Sequence, residues 1–112
     1  MNKHFIAICE EAREKILKSN ASVKGMCREV SLAIAYQASK KNIDCCVCFG
    51  VHTGAGEVHY WLRIDNTIYD ATVSQFGYAE AVFVKLELEA IEYIENGFIY
   101  FRAKEINELI KA

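Results

Sequence analysis

His59-Tyr60-Trp61-Leu62-Arg63-Ile64-Asp65-Asn66-Thr67-Ile68-Tyr69-Asp70-Ala71-Thr72 is the stretch on which the fold turns. Two runs rich in β-branched and aromatic residues flank the pair Asp65-Asn66, and that pattern reads as an antiparallel hairpin with a tight turn. With Asp65 and Asn66 as the two loop residues, Ile64 pairs with Thr67, Trp61 with Asp70 and His59 with Thr72. Side chains alternate along a strand, so His59, Trp61, Asp70 and Thr72 share one face. His59 and Asp70 become diagonal neighbours, close enough for the carboxylate to receive the imidazole proton and set its tautomer. Left unpaired inside apolar strands, each polar group would cost roughly 2–7 kcal/mol, and bonding to each other removes most of that cost. Taken alone, such a pair could do no more than lock the hairpin.

Upstream of the hairpin the period is helical. Between Lys3 and Lys18 the residues Phe5, Ile6, Ile8, Cys9, Ala12, Ile16 and Leu17 recur at helical spacing among charged ones, which predicts an amphipathic surface helix. Residues 19–25 are polar and turn-like. Residues 26–41 are apolar around most of the circumference, which predicts a buried second helix, ended by Asn42 after Lys40 and Lys41. Further strands are expected at residues 43–51, 81–86 and 98–102. Residues 52–56 read as a loop, Asn96-Gly97 as a turn, 91–94 as either strand or short helix, and 105–111 as a closing helix. The layout is α+β, two N-terminal helices followed by a mainly antiparallel sheet.

The totals narrow the class. A chain of 112 residues, 53% hydrophobic, forms one domain with one packed core, and neither linker nor repeat divides it. With 13 basic against 15 acidic residues there is no cationic surplus for phosphate backbones, so no nucleic-acid partner is expected. No apolar run approaches the roughly 20 residues that span a bilayer, and the first residues do not resemble a signal peptide. Five cysteines (Cys9, Cys27, Cys45, Cys46 and Cys48) make an odd set without a disulfide-framework spacing, so we expect free thiols in a reducing, cytoplasmic compartment. The acceptor-like triplet Asn20-Ala21-Ser22 more naturally marks a helix boundary.

Cys27 stands apart from the other four. At the entrance of the second helix, unpaired amides and the positive end of the helix dipole favour a thiolate. Gly25 allows close backbone approach there, and the Cys27 amide could donate to an oxyanion. With His59 as base and Asp70 orienting it, the three form a candidate thiol triad: the thiolate attacks a carbonyl to give a thioester, with no metal or other cofactor needed.

Gly25-Met26-Cys27 opening an apolar helix, followed by the His59-Tyr60-Trp61 and Asp70-Ala71-Thr72 segments, resembles the transglutaminase-like superfamily of papain-like folds. That family has G-x-C at a helix start, H-x-W on one strand and D-x-T on the next; the likeness runs from Gly25 to Thr72. It implies a papain-like core, a helix packed on an antiparallel sheet, with nucleophile, base and orienting acid on Cys27, His59 and Asp70. It further implies a hydrolase of an amide or isopeptide bond in a peptide or protein. Acyl transfer or glutamine deamidation through the same triad, and a noncatalytic binding module on the same scaffold, are the alternatives. Asn20 and Gln37 are candidates by residue type for an oxyanion side chain.

Trp61, on the triad face, is expected to wall a substrate groove alongside Gly25, with Tyr60 and Phe76 as further aromatics nearby. Cys45, Cys46 and Cys48, followed by His52, invite a zinc reading, but a structural site generally shows two C-x(2–4)-C pairs, so core packing is expected. Gly54 and Gly56 lack the residues of a phosphate cradle. Glu87, Glu89, Glu92 and Glu95 read as a solvated face.

Overall fold

The computed structural model describes residues 2–19 and 25–111. Its elements run α1 (Lys3–Lys18), α2 (Cys27–Lys40), β1 (Cys45–His52), β2 (Glu57–Ile64), β3 (Thr67–Asp70), a 3-10 turn (Val73–Phe76), β4 (Phe83–Leu86), β5 (Tyr93–Phe101) and α3 (Ala103–Lys111). The five strands form one sheet in the order β4-β3-β2-β1-β5, with every neighbouring pair antiparallel. The α+β architecture expected from the sequence is therefore present. No helix among the described residues is long and apolar enough to cross a membrane.

Local chemistry explains the helix ends. The Asn2 side chain accepts the Phe5 amide at 3.0 Å and so caps α1, while its backbone N–H donates to the Tyr69 hydroxyl at 3.0 Å, fixing the helix entrance to β3. Phe5 then meets the Tyr69 ring edge-on at 4.8 Å. Asn42, in the left-handed region at φ +60°, terminates α2 after its cap residue Lys41. The amide of Ala103 donates to Asp44 Oδ1 at 2.8 Å, and Asn107 Nδ2 donates to the Ser39 carbonyl at 2.9 Å, which ties α3 to the start of β1 and the end of α2.

The two faces of the sheet are chemically different. Alternation sends Val47, Leu62 and Tyr69 toward α1 and α2, where Phe5, Val30 and Ile34 close an aliphatic core. The opposite face carries Cys46, Cys48, Trp61, Ile68 and Tyr93, covered partly by Phe83 and the segment between β3 and β5. Helix α2 packs on β1 and β2, but it is not buried all round as its composition suggests. Val30, Ile34, Ala35 and Ala38 are inside, with Ser31 and Ser39, whereas Leu32 and Tyr36 are exposed. Small residues let the helix approach the sheet closely; Ser39 discharges its hydroxyl onto the Ala35 carbonyl at 2.9 Å.

One expected turn is a different feature. Asn96-Gly97 lies inside a continuous β5, and the pairing with β1 slips there: Phe49 faces Gly97 while Gly50 faces Glu95. Asn96 is the extra residue of a β-bulge. The reason is steric, since a Cβ on Gly97 would stand 2.5 Å from the Phe49 ring and one on Gly50 would stand 1.9 Å from the Ile94 carbonyl oxygen. Residues 91–94, ambiguous in sequence, supply the first positions of this strand at Tyr93 and Ile94.

Candidate active site

The hairpin register follows the two-residue turn. Ile64 pairs with Thr67 and Leu62 with Tyr69, and Asp65 adopts φ +51° to make the tight reversal. Two residues further along the ladder, His59 Nε2 donates to Asp70 Oδ2 at 2.7 Å, with both side chains essentially excluded from solvent. Asp70 Oδ1 accepts the Thr72 amide at 3.0 Å and the Thr72 hydroxyl at 3.3 Å. The Tyr93 hydroxyl donates to Oδ2 at 2.8 Å. Four donors on two oxygens hold the carboxylate in one orientation, and the carboxylate fixes the imidazole tautomer with its proton on Nε2.

Tyr93 was not visible as a partner in the sequence. It stands 23 positions beyond Asp70, and the only hint was a tyrosine within an apolar segment of undecided type. Burial, reinforced by the adjoining carboxylate, pushes its hydroxyl well above the ordinary range, so it stays a donor.

Aromatic rings enclose the pair. Trp61 stacks beside His59 with ring centroids 6.1 Å apart, Phe76 meets the imidazole edge-on at 4.7 Å, and Tyr93 closes on Trp61 at 5.1 Å. Trp61 is 1% exposed and so lies inside this aromatic cluster. Its position beside His59 on the same strand face makes it part of the packing that holds the ring; Phe76, half-buried, is the aromatic of this group nearer solvent.

Cys27 is the first residue of α2, after Met26, which offers no side-chain cap. Strand β3 leaves the ladder at Asp70, so the first half of β2 lacks a neighbour on that side. The entrance of α2 reaches this gap. Burial by itself would raise the Cys27 thiol, but interaction with the His59 side chain, the amides of Tyr60 and Arg28, and the imidazole charge together bring it below its ordinary value. Burial likewise opposes charge on His59, yet its bond to Asp70 and the neighbouring Cys27 thiol outweigh that and push the imidazole up to about 9. Nε2 is committed to Asp70, and Nδ1 has no hydrogen-bond partner in regular geometry, the Cys27 sulfur included, so Nδ1 is the nitrogen free to meet the thiol. The arrangement favours a thiolate–imidazolium pair.

The remaining sequence candidates fall elsewhere. Gly25 adopts φ +75°, and a Cβ there would meet nothing within 4 Å, so the residue serves the turn into α2 rather than a close approach. Gln37 lies ten positions along α2 from Cys27, about 15 Å at the helical rise, and lines a groove of about 540 Å³ between α1 and α2 with Ile8, Ala12, Met26 and Val30. That separation removes it as an oxyanion donor. Asn20 lies outside the described residues, as does the acceptor-like triplet it begins. Glu87 and Glu95 are not a free acidic face, because Arg63 pairs with them at 3.1 and 3.4 Å.

Cys9, Cys45, Cys46 and Cys48 are buried free thiols, raised by burial, Cys45 to about 12. Among the described residues no group of three or more His, Cys, Asp and Glu is placed to hold a metal ion. His52 is fully buried beside His59, ring centroids 6.0 Å apart, and its Nδ1 accepts the Ala55 amide at 3.2 Å. Burial first, then the neighbouring His59 charge, lowers its pKa, so it stands neutral next to a charged imidazole.

No family model, no curated protein and no solved structure matches this chain.

Proposed function

We propose that this chain is a thiol-dependent hydrolase of an amide or isopeptide bond in a peptide or protein, on a papain-like, transglutaminase-like arrangement of helix and sheet. The carrying observation is that His59 is hydrogen-bonded to Asp70 at 2.7 Å while the Cys27 thiol, far away in sequence at a helix entrance, lies near enough to the imidazole for each to shift the other's titration.

The chemistry follows from those roles. The Cys27 thiolate attacks the carbonyl carbon; a C–S bond forms and the carbonyl electrons move to oxygen. Collapse breaks the C–N bond, and the proton on His59 Nδ1 goes to the departing amine. Water then adds to the thioester, giving a proton back to His59, and the C–S bond breaks to release the acid and the thiolate. Asp70 keeps the ring oriented and stabilises its positive form throughout. A primary amine in place of water converts the same cycle into acyl transfer.

Alkylation with iodoacetamide from pH 5 to 10, with the modified residue located by mass spectrometry, tests the reading without a known substrate. A Cys27 thiol titrating clearly below 9 is expected; an ordinary thiol there favours a noncatalytic binding module. On a panel of fluorogenic peptide amides, turnover by the wild type that persists in a folded Cys27→Ala variant would overturn the assignment. Added amine that appears in the product mass identifies transfer.

A further inference from the structure

Gln75 sits in the 3-10 turn that follows β3, half-buried, and it bonds in two directions. Its Oε1 accepts the backbone N–H of Gly25 at 3.1 Å, and its Nε2 donates to the Thr72 hydroxyl at 3.2 Å. Thr72 in turn donates its amide and its hydroxyl to Asp70, which holds His59. Gly25 is two residues from Cys27. Hydrogen bonds therefore run from His59 through Asp70, Thr72 and Gln75 to Gly25, and the chain to Cys27 makes this run a ring whose last step, thiol to imidazole, is an approach without a regular hydrogen bond.

We propose that Gln75 is a positioning residue that closes this ring, holding the entrance of α2 against the turn after β3 so that the Cys27 sulfur stays over His59. This rests on the reading of Cys27 and His59 as a reacting pair. The physical case is one of tethering. Residue 26 caps α2 without a side-chain bond, and Gly25 occupies a left-handed conformation that glycine enters freely and can also leave freely. Among the described residues, Met26 adds packing against the core to this approach, and Gln75 adds the side-chain hydrogen bond. An amide side chain satisfies both ends here, because it offers the Gly25 N–H an acceptor and the Thr72 hydroxyl, already donating to Asp70, a donor. Glutamic acid would keep the first bond and lose the second; methionine would keep the volume and lose both.

Gln75 also differs from a purely structural clamp in what its loss should move. Removing it frees the sulfur end of the ring but leaves the His59–Asp70 bond, which Tyr93 and the Thr72 amide still support. The nucleophile limb should loosen while the base limb persists.

The test compares wild type, Gln75→Met and Gln75→Ala on the full chain. Iodoacetamide labelling of Cys27 is followed against pH, together with the thermal midpoint and the proton NMR signal of the His59 Nε2–H. We expect the Cys27 titration in Gln75→Met to move up toward 9, with labelling at pH 6.5 falling about tenfold for each unit of movement, since the thiolate fraction scales that way. The Nε2–H signal persists. Should Gln75→Ala fail to fold, Gln75→Met carries the comparison, because it fills the same space. A lowered midpoint with an unmoved Cys27 titration overturns the proposal and leaves Gln75 a structural clamp, as does loss of the Nε2–H signal along with the thiol shift. An ordinary thiol in the wild type overturns the reading of the site itself, which is a separate result.

Discussion

The entrance of α2 and the start of β1 each hold a thiol that burial opposes ionising, yet the two regions drive it in opposite directions. On β1, desolvation raises Cys45, and its neighbours Cys46 and Asp44 add to that and push it to about 12. At α2, Cys27 faces an imidazole held from behind by a carboxylate, with two backbone amides beside it, and its thiol drops. Burial does not separate a packing cysteine from a nucleophile. The neighbour that the buried side chain meets does.

Native labelling is the sharpest way to break this contrast. Between a thiol near 12 and one below 9, thiolate fractions at neutral pH differ by more than about a thousandfold, so Cys27 should be modified long before Cys45, while all five thiols react together after denaturation in guanidinium. Comparable rates in the native state would erase the difference. His59→Ala should come next in size: desolvation then acts on Cys27 opposed only by the Tyr60 and Arg28 amides, its thiol climbs, and activity on any amide found by the panel drops about a hundredfold or more.

The pH dependence of stability gives a smaller effect with a definite sign. His59 is raised from 6.5 to about 9, so its contribution is complete below about 6.5 and disappears as the pH climbs through about 9. Cys27 is lowered, so its contribution is complete above 9 and disappears as the pH falls through its folded value. In the wild type the two oppose each other. Cys27→Ala should leave only the part of the histidine limb that Asp70 supplies, a fall in thermal midpoint that starts near pH 6.5 and is complete at a lower pH than in the wild type because the Cys27 contribution is gone, measurable by circular dichroism; a flat profile would show that Asp70 does not hold the imidazolium. Tyr93→Phe is the mildest change. It removes one of four donors to the Asp70 carboxylate and should cost about 1.5 kcal/mol in denaturant unfolding.

What the chain reveals before folding is what short-range periodicity and turn chemistry control. Helix α1 spans the predicted Lys3–Lys18 because Asn2 caps its start and the apolar spacing is regular. The hairpin register could be written down because Asp65-Asn66 permits one two-residue reversal, and that placed His59 beside Asp70. Three things were hidden. Asn96-Gly97 has the signature of a turn, but the demand of Phe49 for space opposite Gly97 makes it a bulge. Tyr93 and Gln75 reach the site across 23 and 50 positions, and nothing in their own neighbourhood announces a partner. Trp61 shares the triad face, as alternation requires, but which parts of a face are covered depends on the chain after β3.

The brevity of the β2–β3 reversal sets how this protein can tolerate change in length. Residues 53–56, joining β1 to β2, form a turn tied to His52 and Glu92 by hydrogen bonds, and an extra residue there leaves the β2–β3 register as it is. One residue added between Ile64 and Thr67 is another matter: strand pairing could be retained with the same number of backbone bonds, but every side chain of β3 would point the other way, delivering Tyr69 to His59 and Asp70 to the aliphatic core. Deletions and insertions at that tip should be missing from any functional variant library, even where the adjoining loops accept them.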